Sequence, residues 1–183
     1  MRKATLACLC VFLFAVPLVA ATLGGVTLPD TITVGNQTLV LNGLGLRTKM
    51  FFKIYVGGLY LETKSGDSAA IIKADSTKRV VLHFIYGQVT RDQMLENFSE
   101  GFKNNAPGAD KAQVDQFLAA LETMKKGEQF VATYVPGTGT TVTIRGTDKL
   151  TIPGLPFAQA LFSVWLGPKP PTGALRDGML GKK

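Results

Sequence analysis

Leu41-Asn42-Gly43-Leu44-Gly45-Leu46-Arg47, followed at once by the run Phe51-Phe52-Lys53-Ile54-Tyr55-Val56-Gly57-Gly58-Leu59-Tyr60-Leu61, decides how this 183-residue chain folds. The second run is long and apolar and reads as a central strand. A period of two puts Tyr55, Gly57, Leu59 and Leu61 on one face. Phe52, Ile54, Val56, Gly58 and Tyr60 point to the other. Both faces are mostly apolar, which predicts cover on both sides. Gly57-Gly58 leaves a gap in the side-chain layer where another backbone or a ligand could approach. Asn42 to Gly45 allows a bulge or a sharp bend. Just upstream, Thr31–Val34 and Gln37–Leu41 alternate apolar and polar residues around Gly35-Asn36, a hairpin signal.

Downstream, the spacing predicts a short helix over Ser68–Lys73 and a second strong strand over Arg79–Tyr86. Thr90 reads as an N-cap, with Gln93 completing a capping box. The helix that follows, to Lys103, places Met94, Asn97, Phe98 and Phe102 at helical spacing, and Pro107-Gly108 breaks it. A further amphipathic helix is expected over Asp110–Lys126, with Val114, Phe117, Leu118 and Leu121 on its apolar side and Gly127 as its stop. Glu128–Val135 and Thr140–Arg145 read as strands joined by a turn at Pro136–Gly139. Gly146-Thr147-Asp148 reads as another turn, before a strand at Lys149–Ile152. Leu155–Leu166 is a last substantial apolar helix. Pro168-Lys169-Pro170-Pro171 is then a rigid connector to a short terminal helix. Strands, two helices, strands and a helix make an α+β fold with a largely antiparallel sheet.

The N-terminus reads as a cleavable signal peptide over residues 1–21. Arg2 and Lys3 precede an uncharged run from Ala4 to Ala21, which ends in Val19-Ala20-Ala21, small residues suited to a cut near Ala21. Pro17 and the alanine-rich end favour cleavage over a membrane anchor. Residues 22–183 then form one domain of 162 residues, large enough for a sizeable core. Cleavage removes Cys8 and Cys10, so a disulfide, a thiolate metal site and a cysteine nucleophile are all excluded. It also takes the 20 basic residues to 18 against 13 acidic, a net charge of +5. Those charges are scattered and form no stripe for nucleic acid. The expected location is periplasmic or secreted, with no stable membrane insertion after cleavage.

Common catalytic signatures are missing. His83 is the single histidine, sits mid-strand and reads as a half-exposed strand residue, so no metal site is expected. There is no nucleophile elbow, Walker loop or dinucleotide glycine pattern, and no cofactor is expected. Among polar residues, Arg47 follows the glycine-bounded bend. It is either a surface arginine or one that reaches into a pocket to hold an anion by paired N–H bonds. Tyr55 is either a core tyrosine or a hydrogen-bonding partner to it. Asn97 shares a helix face with Met94.

These residues resemble the chalcone isomerase signature. Leu41–Arg47 and Lys53–Glu62 match a glycine-bounded arginine followed by a strand ending Gly-x-Tyr-Leu-Glu. Gly87–Asn97 resembles a second block and Ala160–Gly167 a third, in the same order. The chain looks most like the exported bacterial proteins of the chalcone isomerase-like family. The resemblance implies an open-faced β-sandwich: a large antiparallel sheet with helices packed on one side and a cleft between them.

In the plant enzymes an arginine holds the substrate phenolate, and Arg47 matches it. The strand threonine of that family falls at Tyr55, its helix-start tyrosine at Thr90 and its late threonine at about Val164, beside Trp165. Only the arginine is kept. The non-catalytic branch of the family binds fatty acids with an arginine and a tyrosine, which Arg47 and Tyr55 resemble. The expected ligand-binding set is therefore Arg47, Tyr55, Thr90, Asn97 and Trp165. Phe51, Leu59, Phe98, Leu161 and Trp165 are expected to line an apolar groove. The leading expectation is a non-catalytic binder of a small amphipathic anion such as a fatty acid. One alternative is an isomerase or intramolecular lyase acting on an enone or flavonoid-like phenol through Arg47. Another is an envelope accessory protein whose cleft is closed by its own side chains.

Overall fold

The structure, a computed structural model, describes residues 20–182. Residues 1–19 of the expected signal peptide, with both cysteines, lie outside them. Ala20 and Ala21 open the first strand.

The chain begins with a hairpin of β1 (Ala20–Leu23) and β2 (Val26–Pro29), then β3 (Thr31–Val34), β4 (Gln37–Lys49) and β5 (Phe52–Leu61). Next come α1 (Ser68–Lys73), β6 (Lys78–Phe84), β7 (Gln88–Val89), α2 (Arg91–Asn105) and α3 (Lys111–Ala119). The rest is β8 (Met124–Lys125), β9 (Gln129–Val135), β10 (Gly139–Ile144), β11 (Thr147–Ile152), α4 (Leu155–Leu166) and α5 (Gly173–Met179). Seven strands form one antiparallel sheet in the order β11-β10-β9-β6-β5-β4-β3. The helices pack on one face of this sheet, around Leu59, Leu82, Phe130 and Ile144. The β1–β2 hairpin covers part of the other, against Leu39, Val56, Tyr60 and Val81. The expected α+β sandwich, with helices on one side, is the observed architecture.

The bend at Asn42 is a bulge, where the β4–β5 register slips between Leu41 and Gly43. Its amide donates to the carbonyls of Ser65 and Met179, at 2.9 and 2.8 Å, and accepts from the Ser65 N–H. That bond ties the sheet to the end of α5. A second slip occurs between Arg47 and Thr48, opposite Ile54. It overturns one expectation: Ile54 joins the helix-side core with Tyr55 rather than the opposite face, because a bulge inserts a residue and breaks the alternation.

The Gly57-Gly58 gap is filled from within the chain. A Cβ on Gly57 would stand 2.9 Å from the Leu175 side chain of α5, and one on Gly58 would stand 2.5 Å from Leu28 of β2. Gly45 lets α5 lie directly on β4, since a Cβ there would meet the Leu175 backbone at 2.0 to 2.8 Å.

Two further expectations are corrected. The helix expected over Asp110–Lys126 stops at Ala119. The chain then turns so that Met124–Lys125 pair with Gln88–Val89. Leu121 and Met124 are still buried, so their helical spacing from Phe117 reflects core contact without a helix. The turn expected at Gly146–Asp148 lies at Arg145-Gly146, both with positive φ, and β11 already pairs at Thr147. α4 is buried nearly all round, which fits a helix lodged between the sheet and its neighbours.

Candidate functional site

Arg47 lies near the end of β4, opposite Tyr55 on β5, and its side chain is on the helix side. The second bulge and the start of α2 together shape its surroundings. Thr90 caps α2: its hydroxyl accepts from the Gln93 N–H, and the Gln93 side chain accepts from the Thr90 N–H. The cap sets where α2 begins, and so where Asn97 falls two turns along it. Asn97 Oδ1 accepts a 2.7 Å bond from Arg47 Nη2, while its Nδ2 donates to the Gln93 carbonyl at 2.6 Å. Asn97 is therefore an anchor for the guanidinium, itself held by the helix.

A second guanidinium donor is not satisfied. Arg47 Nε is buried and has no hydrogen-bond partner. Among the described residues no carboxylate forms an ion pair with Arg47. The group lies 5.4 Å from the Tyr55 ring centroid. Tyr55 is only 3% exposed. Burial pushes its pKa up, and the nearby positive charge of Arg47 pulls the other way without prevailing. The phenol stays protonated at neutral pH and can donate to an anion.

Arg47 borders three small cavities. The inner one, of about 20 Å³, is lined by Tyr55, Phe84, Met94, Phe98, Val164 and Trp165, among others; it has room for about one water. A second, of about 120 Å³, opens between α2 and the proline connector, past Asn97, Glu100, Val164 and Lys169. A third, of about 50 Å³, lies at the base of the β4–β5 turn, by Lys49, Ile54, Tyr86 and Gln93. The connector is pinned at the second opening, where Asn105 donates to the Lys169 carbonyl at 2.9 Å and accepts from the Lys169 N–H at 2.8 Å.

Four of the expected site residues, Arg47, Tyr55, Asn97 and Trp165, thus come together around one cavity. Thr90 does not. It is exposed, its hydroxyl serves the α2 cap, and it borders none of the three cavities. The expected groove also changes. Phe98 and Trp165 line it, but Leu59 and Leu161 are buried away from it in the core, and Phe51 is 97% exposed. Met94, Phe84 and Pro171 take those places. Met94 was legible in its helical spacing with Asn97 and Phe98, and Pro171 in the proline run.

His83 is half-buried and shares a 3.1 Å hydrogen bond with Gln129, and burial lowers its pKa. No cluster of metal-ligating side chains occurs among the described residues. Among them, no helix is long and apolar enough to cross a membrane.

A family model described as chalcone isomerase-like matches residues 20–181. No curated protein matches the sequence. The crystal structure of a fatty-acid binding protein from Arabidopsis thaliana superposes with a TM-score of 0.72 at 16% identity, covering 88% of this chain and 96% of that one. At that identity the likeness speaks for the fold alone.

Proposed function

This chain belongs to the chalcone isomerase-like family, and from that premise we propose that it is a non-catalytic binder of a small amphipathic anion, with a fatty acid as the leading candidate, exported by cleavage of residues 1–21. The observation that carries the reading is the Arg47 guanidinium: half-buried, with Nε unpartnered and, among the described residues, no ion pair to a carboxylate. A buried donor without a partner is costly, and a carboxylate is the acceptor whose planar geometry suits it. Asn97 holds the guanidinium in place and Tyr55 adds a protonated hydroxyl. Met94, Phe98, Val164 and Trp165 supply an apolar wall for a tail. The similar Arabidopsis protein is a fatty-acid binder by its description, which agrees with this choice.

Ligand pockets usually run to about 300 Å³ or more, so an acyl tail would have to displace side chains from the inner cavity. Met94 is the most adaptable of them. The isomerase alternative draws no support from the site, because Thr90 is occupied as a cap and Val164 is apolar.

The test is lipid extraction and native mass spectrometry of the protein recovered from expressing cells, with Arg47→Ala beside it. An acyl or aromatic acid on the wild type, absent from the variant, is expected. If neither protein carries or takes up any such acid, the binding reading fails. The same spectrum gives the N-terminus, and a mass starting near Thr22 is expected.

A further inference from the structure

The turn between β4 and β5 carries the most exposed large apolar side chains among the described residues: Met50 is 84% exposed, Phe51 97% and Phe52 54%. They are consecutive and sit at the tip of a long hairpin. Met50 has φ +55, a left-handed conformation disfavoured for a residue with a Cβ. Phe52 is braced from behind by the edge of the Tyr86 ring, with centroids 5.4 Å apart, and Tyr86 is itself 37% exposed. The tip is therefore a shaped, supported projection.

The charged residues that flank it in sequence are all basic. Lys49 and Lys53 flank the three apolar residues and are both exposed. Neither forms an ion pair among the described residues. From Arg47 to Tyr55 there are three basic residues and no acidic one. Lys126, also exposed, lines the same groove as Lys53.

We infer that this hairpin tip docks the protein on an anionic lipid surface, with Met50, Phe51 and Phe52 entering the headgroup boundary and the lysines meeting lipid phosphates. Apolar and aromatic side chains ringed by lysine are the pairing that an anionic bilayer interface accepts. A second copy of the chain fits poorly, because tip-to-tip contact would set Lys49 and Lys53 against their own counterparts. The small cavity at Arg47, Lys49 and Tyr86 opens at the root of the tip, so docking brings Arg47 close to the lipid. Transfer of an acid by that route rests on the proposed function above; the docking does not, since it needs no bound acid.

The experiment is co-sedimentation of the protein recovered from expressing cells with vesicles of phosphatidylglycerol and phosphatidylethanolamine, and separately with pure phosphatidylcholine. The double variant Met50→Ser/Phe51→Ser and the double variant Lys49→Gln/Lys53→Gln are run beside it. All share one N-terminus, so a difference between them reports the tip. Binding to the anionic vesicles is expected, with a loss of about tenfold or more in the apolar variant. The lysine variant should lose roughly fivefold per charge removed. Thermal unfolding of the variants should match the wild type, as these side chains are exposed. Equal sedimentation of wild type and apolar variant overturns the inference, as does failure of the wild type to sediment. So does a tip-dependent dimer on size exclusion in place of vesicle binding.

Discussion

Replacing Arg47 by Met separates a ligand-holding arginine from a structural one. In the free protein the substitution removes the 2.7 Å bond to Asn97, worth about 1.5–3 kcal/mol for a charged donor. It also removes the contact with the Tyr55 ring, worth about 0.5–1 kcal/mol. Against that, it removes a buried Nε with no partner, which costs the native state about 1–3 kcal/mol. Methionine keeps the apolar stem of the side chain. The opposing effects are of similar size, so the delipidated variant should lose no more than about 1 kcal/mol. Affinity behaves differently. Loss of a paired, charge-assisted contact to a carboxylate should cost about 3 kcal/mol, or roughly 100-fold. Urea unfolding of the delipidated proteins gives the first quantity, and calorimetric titration with dodecanoate gives the second. A variant that loses several kcal/mol of stability yet binds dodecanoate as the wild type does would refute the reasoning. Arg47 would then be a structural residue.

Other substitutions test the frame around the site. Gly45→Ala should lift α5 from β4, because the new Cβ runs into the Leu175 backbone. Leu175 and Met179 are fully buried, so about 3 kcal/mol or more should be lost in urea unfolding, and the α5 amides should lose hydrogen-exchange protection. Thr90→Ala should cost about 1 kcal/mol through the α2 cap and leave dodecanoate affinity unchanged within twofold; a large loss of affinity would restore Thr90 to the site. Stability should also vary with alkaline pH in a definite order. Burial lowers the Lys78 pKa from 10.5 to about 8, so between those values the unfolded chain binds more protons and stability rises with pH. Burial raises Tyr60 and Tyr134 from 10.0 to about 12, so the unfolded chain loses protons first and stability falls above pH 10. Urea midpoints should therefore peak near pH 10, and the rise should vanish in Lys78→Met.

Hairpins and caps were legible in the sequence because they are local. Period-two patterning placed β3 and the first part of β4, to Leu41, while its continuation to Lys49 through the bulge was not foreseen. The long apolar run placed β5, and the Thr90–Gln93 box placed the start of α2. The bulge opposite Ile54 was not legible, because a register slip is decided by the partner strand. Residues 120–126 were misread as helix because Leu121 keeps helical spacing from Phe117 while being buried from an irregular segment. The β1–β2 hairpin, with Gly24-Gly25 at its turn, was hidden by the signal-peptide reading that overlaps it. Lys78 gave no warning of its burial. Its Nζ donates to the carbonyls of Ile71 and Ala74 at the end of α1, at 2.8 and 2.6 Å, partners that only the folded chain brings to it. In the site, Arg47, Tyr55 and Asn97 were legible as polar groups among apolar neighbours, and Trp165 came from family resemblance, beside the position of the family's late threonine. Thr90 was placed there by family resemblance, although its cap role was already readable from the spacing to Gln93.

The central claim is that Arg47 holds a carboxylate. The most direct measurement is the pH titration of dodecanoate labelled with carbon-13 at its carboxyl, followed by NMR in the presence of the protein. A bound carboxyl resonance that stays ionised well below the ordinary carboxylate range is expected, because an adjacent guanidinium favours the charged form, and this protection should disappear in Arg47→Met. A carboxyl that titrates as it does in free solution, or titrates identically with the variant, would contradict the claim.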